Sequence, residues 1–181
     1  MKKVIVYPVV FLIFFILTGC TENKNKEEKK INAKEQSKLE ESLVIWNKEK
    51  QRYNNSYQYT TEFSSWTGFR GKTTLIIKNN EITERHYLEF EQEVISSSWS
   101  EVNKEKLGTH QWEGAALEFI EDLYRKCEKD VLTKNPSENY IDLLFHKNGI
   151  LKTCTYFHKN CVDDCTFGVS IDTITFLEEE S

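Results

Sequence analysis

The chain has 181 residues, 39% of them apolar and 29% charged, and 29 acidic side chains against 24 basic ones leave a formal charge of −5. That length holds one ordinary domain and some extra segments. The acidic excess repels phosphate backbones and anionic headgroups, which argues against a nucleic-acid partner and against a second, electrostatic hold on a membrane surface.

The N-terminus opens with Lys2 and Lys3, followed by an apolar run from Val4 to Leu17 broken only by Tyr7 and Pro8. A membrane-spanning helix needs about 20 apolar residues, and this run is shorter. A charged start, a short apolar core and small residues at its end describe an export signal. The run ends in Leu17-Thr18-Gly19-Cys20, which resembles the lipobox of bacterial lipoproteins at all four positions. That resemblance implies cleavage before Cys20, lipidation of its thiol, and a chain held at an envelope membrane on its periplasmic or surface face. Acyl chains contribute about 0.8 kcal/mol per buried methylene, so a multiply acylated terminus stays bound without any protein contact.

Behind the anchor, residues 20–37 are mostly Lys, Glu and Asn. A segment with so little apolar surface cannot offset its ordering entropy, so it reads as a solvated, disordered tether. Its charge also resembles, in composition alone, the signals that send some Bacteroidota lipoproteins to the cell surface.

The domain proper is expected over 38–181. Leu39, Leu43, Trp46 and Tyr53 recur at helical spacing. After Asn54-Asn55 the period falls to two: Tyr57 to Phe63, then Thr73, Leu75 and Ile77, then Ile82 to Phe90 after an Asn79-Asn80 turn signal. Glu91 to Gly114 has no sustained period and reads as a long connection with some strand. A second helical face follows in Leu117, Ile120, Tyr124, Cys127 and Val131, bounded by Pro136. Three strands complete the chain: Tyr140 to Phe145, Ile150 to Phe157 after a Lys147-Asn148-Gly149 turn, and Gly168 to Phe176. Two α-β-β-β halves predict a single α+β domain with two helices packed on an antiparallel sheet, and Trp46 and Tyr124 in a common core. A domain of this size buries about 70% of its unfolded surface and can stand alone.

Trp46, Tyr57-x-Tyr59 and the Leu75-Ile76-Ile77 strand with its Asn turn, followed by Leu123-Tyr124 and an Asn148-Gly149 hairpin, resemble a family of small secreted bacterial domains of unknown function. The resemblance runs from about Leu39 to Phe176 and implies a fold and a location. It carries no activity. The chain departs from the family's pattern in the Glu91 to Gly114 insertion and in its four remaining cysteines.

With Cys20 lipidated, Cys127, Cys154, Cys161 and Cys165 remain. An even count in an exported domain predicts two disulfides, with three connectivities open. Cys127–Cys154 with Cys161–Cys165 is the favoured one, because the buried face of the second helix should lie over the strand bearing Cys154. The rival is a zinc site from Cys154, His158, Cys161 and Cys165, which strands Cys127 and lacks the paired spacing of zinc ribbons. Asp163-Asp164 reads as a polar turn in the Cys161–Cys165 loop, with too few oxygens to hold calcium.

His86, His110, His146 and His158 are scattered, and no hydrolase, metalloprotease, phosphate-loop or dinucleotide motif is present. The expectation is a non-enzyme without metal or cofactor. Aromatics are the one surplus, at 13% of the chain. Trp66, Phe69, Trp99 and Trp112 lie in irregular, polar sequence, and form the candidate binding surface; the alternative is that they pack over a small core. The reading is a lipid-anchored envelope domain that binds or scaffolds, with a protein partner. A glycan or small ligand held by the Trp-bearing loops is the second.

Overall fold

The computed structural model describes residues 19–163 and 165–178, with side chains from Ala33 onward. The signal segment through Thr18 lies outside them. Two helices and eight strands follow in chain order: α1 (Gly19–Arg52), β1 (Tyr57–Ser64), β2 (Phe69–Lys78), β3 (Glu81–Glu91), β4 (Val94–Glu101), α2 (Ile120–Lys126), β5 (Asn139–Phe145), β6 (Leu151–His158), β7 (Phe167–Ser170) and β8 (Thr173–Phe176). The fold is α+β with every strand pair antiparallel. No helix among the described residues is long and apolar enough to cross a membrane.

Helix α1 buries Leu39, Ser42 and Trp46 and exposes the Lys and Glu between them. It stops where Asn54 and Asn55 take φ of 50° and 54°, a left-handed conformation that asparagine tolerates better than most residues. The helix is longer than the apolar spacing predicts. Its backbone is helical from Gly19, through the segment in which the sequence led us to expect no regular structure. Lys, Glu, Gln and Ala are good helix formers, and a tertiary-anchored turn at Leu39 supplies a nucleus from which they propagate.

The strands form two sheets where the sequence predicts one. The larger has the order β4-β3-β2-β1-β8 and the smaller β5-β6-β7. The last predicted strand, Gly168 to Phe176, is split between them. Ile171 N–H donates to Lys152 O in the small sheet, and the next amide, Asp172 N–H, donates to Thr60 O in the large one. A fully buried Ile171 marks this handover. Asn79 and Asn80 make the predicted tight turn, with φ of 51° and 64°. Gln92 and Glu93 make a second one, with φ of 47° and 68°, so the unassigned middle segment contributes β4 and continues the hairpin ladder.

The second helix is shorter than its apolar stripe. Phe119 caps it through a hydrogen bond from its amide to Asp122 Oδ2 (2.9 Å), and Cys127–Val131 continues it as one π-helical turn. The Cys127–Cys154 disulfide fastens that turn to β6, and Cys161–Cys165 closes the β6–β7 loop. Asp164 lies outside the described residues. One core cluster joins α1, α2 and both sheets and contains both Trp46 and Tyr124. The Tyr124 phenol oxygen accepts the Leu151 amide (2.9 Å) and shares a hydrogen bond with Ser42 Oγ (2.6 Å), so one buried group ties together α2, β6 and α1. Burial holds its hydroxyl protonated by raising its pKa, although those two hydrogen bonds work the other way.

Candidate binding groove

The helices cover only one end of the large sheet's inner face. Tyr57, Tyr59, Leu75 and Ile77 are buried there. Two residues further along the same face stand Thr61, Phe63, Gly71 and Glu89, and these line an open groove of about 860 Å³. Pockets that take small ligands have volumes of about 300–1,000 Å³. Its far wall is the small sheet, through Thr153, Thr155, Gly168 and Ser170, and α2 contributes Leu123 and Lys126. The near wall is the loop after β4, from Trp112 to Ala116.

That loop is held by a buried ion pair. Arg85 on β3 and Glu101 at the end of β4 are paired in register and are both buried. Guanidinium Nε and Nη2 donate to Glu101 Oε2 (3.0 Å) and Oε1 (2.9 Å). Two further guanidinium protons, on Nη1 and Nη2, reach Ala115 O (2.9 Å) and His110 O (3.0 Å). Glu101 accepts, in addition, the amides of Gly108 (2.8 Å) and His110 (2.9 Å) and the Thr109 hydroxyl (3.0 Å). Burial alone would raise the pKa of this carboxyl, but the guanidinium and loop donors outweigh it and hold the group well below the usual carboxylate range. Trp99 completes the support: it stacks on Tyr87 (5.3 Å) and on His110 (4.1 Å), lies under Arg85 (4.8 Å), and donates from Nε1 to Glu113 (2.7 Å). The loop then docks on the sheet, where Ala115 N–H donates to Thr73 Oγ1 (2.9 Å).

The four predicted aromatic residues therefore have different positions. Trp112 is 95% exposed and lines the groove. Phe69 lines it also, paired with an exposed Phe63 at 6.3 Å. Trp66 sits in the β1–β2 turn beside that pair, 76% exposed. Trp99 is half-buried and supports the wall without lining the groove. Reading the sequence missed Arg85, Glu101 and His110. Their one signal is that Arg85 shares the inward phase of β3 with Tyr87, and a charge in a buried phase demands a partner. Cys20 lies at the start of α1, and its side chain is outside the described ones.

The groove is acidic. Lys126 is paired with Glu118 (2.6 Å), and Glu62 with Arg70 (3.8 Å). Among the described residues Glu113 accepts the neutral Trp99 N–H (2.7 Å), and Glu89 accepts the hydroxyls of Ser96 (3.0 Å) and Tyr87 (3.4 Å). Neither carboxylate forms an ion pair among the described residues. Burial, then Glu89 and Glu113, raise the pKa of Tyr87 and keep its hydroxyl a donor. Threonine and serine hydroxyls line much of the remaining wall. Compared with family models, with curated proteins and with solved structures, the chain matches none of them, so the functional reading rests on this geometry.

Proposed function

We propose that the chain is a lipid-anchored lipoprotein of the bacterial cell envelope, whose domain acts by binding a protein partner in this groove. The lipobox at Leu17 to Cys20 supports the anchor. The observation that carries the binding role is an open groove of about 860 Å³ that combines exposed aromatics with two carboxylates, Glu89 and Glu113, that form no ion pair among the described residues. Among the described residues that line it, none is a histidine or a cysteine, and the features present are those of a binding surface. A hydroxyl-rich lining beside the exposed Trp112 favours a second reading, a glycan stacked on that ring.

Two measurements test the reading. Cys20→Ser should move the protein from the membrane fraction to the soluble one, or stall its processing; normal maturation with full membrane retention would refute the anchor. Trp112→Ala should weaken capture at least tenfold with little change in melting temperature, because an exposed ring adds little to folding yet can be central to an interface; Phe69→Ala, at a half-buried ring, should weaken capture with a modest fall in melting temperature. Trp99→Ala should lower the melting temperature first, because its ring braces the wall. A tryptophan fluorescence response to oligosaccharides and not to peptides would favour the glycan reading.

A further inference from the structure

The walls of the groove differ in how they meet it. Strands β2, β3 and β6 contribute alternate residues, such as Gly71 and Thr73 or Thr153 and Thr155, and so present a face. Strand β1 contributes Thr61 through Ser64 without a gap, and β7 contributes Gly168 through Ser170 in the same way. Consecutive lining residues mean that the groove runs along the backbone edges of these two strands.

Among the described residues both edges are open. Ser65 N–H donates to Phe69 O (2.8 Å), which fixes the alternation of the β1–β2 ladder: Phe63 and Thr61 bond to β2, whereas the amides and carbonyls of Glu62 and Ser64 point the other way. On that other side β8 pairs with β1 only as far as Thr60↔Thr173. Strand β7 is the terminal strand of the small sheet. The two edges meet at one corner, where Thr61 Oγ1 and Ser170 Oγ lie 3.4 Å apart and Asp172 N–H bonds to Thr60 O. From there the groove separates them.

The geometry points to an extended polypeptide segment that enters this wedge as an added strand, pairing its backbone with the free edge of β1 and carrying a lysine or arginine toward Glu89 and Glu113. This rests on the groove being the binding site and names the mode and chemistry of the partner. Main-chain hydrogen bonds to an open edge give affinity without sequence, and side-chain pockets give selectivity. Two carboxylates with only neutral donors supply that selectivity in charge.

The test uses phage-displayed decapeptides panned on the full-length Cys20→Ser chain, with selected peptides synthesised and titrated. Selected sequences should lack proline in their centres and carry Lys or Arg. Ser64→Pro removes one outward N–H without touching the β1–β2 ladder, since proline is tolerated on an edge whose N–H faces solvent. It should weaken binding roughly tenfold, the loss of about one hydrogen bond, with the melting temperature little changed. If Ser64→Pro is itself destabilised, amide exchange in the unaltered protein decides: Glu62 and Ser64 should gain protection on adding peptide. Peptides that bind without that protection and tolerate Ser64→Pro would overturn strand addition and leave the groove reading standing. Failure of all peptides, with Trp112-dependent oligosaccharide binding, overturns the peptide partner. Failure of both probes overturns the groove reading itself.

Discussion

Glu101 shows how one carboxylate organises eighteen residues of otherwise irregular chain (102–119). Its oxygens receive donors from two sources, from Arg85 of β3 on one side and from the Gly108 and His110 amides of the loop on the other. Glu101→Gln leaves the buried Arg85 charge unpaired and should cost about 3 kcal/mol or more in urea unfolding, with the Trp112 wall loosened. The pH dependence follows from the depressed pKa. In the unfolded chain the group titrates near about 4.3; folded, it stays ionised to much lower pH. Its contribution is therefore complete at neutral pH and is lost as acid carries the solution below the unfolded value and on through the folded one. Melting temperature should fall over that acidic range in the wild type, and less so in Glu101→Gln. None of this hub was legible as a site. Arg85, Glu101 and His110 are common residue types, far apart in sequence, and only the β3–β4 register brings the first two together. The cysteines were legible, because helix phase placed Cys127 over the strand that bears Cys154.

At the level of elements, turn chemistry decided what could be read. Asn79-Asn80 announces a hairpin because asparagine accepts positive φ; Gln92-Glu93 adopts the same geometry with side chains that give no such signal. The sequence therefore promised some strand in the Glu91 to Gly114 connection without placing β4, the outermost strand of the large sheet. The handover at Ile171-Asp172 left one small mark: the apolar alternation slips by a residue between Ile171 and Ile174, where the hydrogen-bond partner changes sheets, and so short a slip does not by itself announce a second sheet. The disulfides act at this scale. Cys127–Cys154 spans 27 residues and joins the π turn to β6, so replacing both by Ala should cost about 3–4 kcal/mol. Cys161–Cys165 spans four residues and its removal should cost about 2 kcal/mol. Thermal unfolding of the two double variants under oxidising conditions orders them.

Across the whole molecule, the C-terminal residues lock the halves together. Strand β8 pairs with β1, its ring Phe176 packs on Trp46 of the first helix and on Tyr53 just beyond its end, and β7 completes the other sheet. Neither half can keep its core without the other. Near-ultraviolet and far-ultraviolet circular dichroism should therefore trace one coincident unfolding transition; two separated transitions would show that the halves fold independently. The single-domain α+β architecture was readable because it depends on apolar period, which survives changes of register. The division into two sheets was not, because it depends on where one strand exchanges partners.

A backbone that is helical from Gly19 makes the proposed connection to the bilayer through Cys20 a question of angle as well as reach. From Cys20 to Leu39, the first buried residue among the described side chains, an α-helix climbs about 1.5 Å per residue and turns about 100° with each one. In a stiff stalk of this kind, the compass direction in which the wedge between β1 and β7 opens is set by residue count. One alanine inserted before Leu39 would swing the opening about a quarter turn around the stalk, and seven would restore it almost to its original bearing while lifting it about 10 Å. A slack leash would register neither change. Partner capture on intact membranes by the two insertion variants, compared with capture in detergent, reads the difference: orientation lost with one residue and regained with seven is the signature of a helical mast.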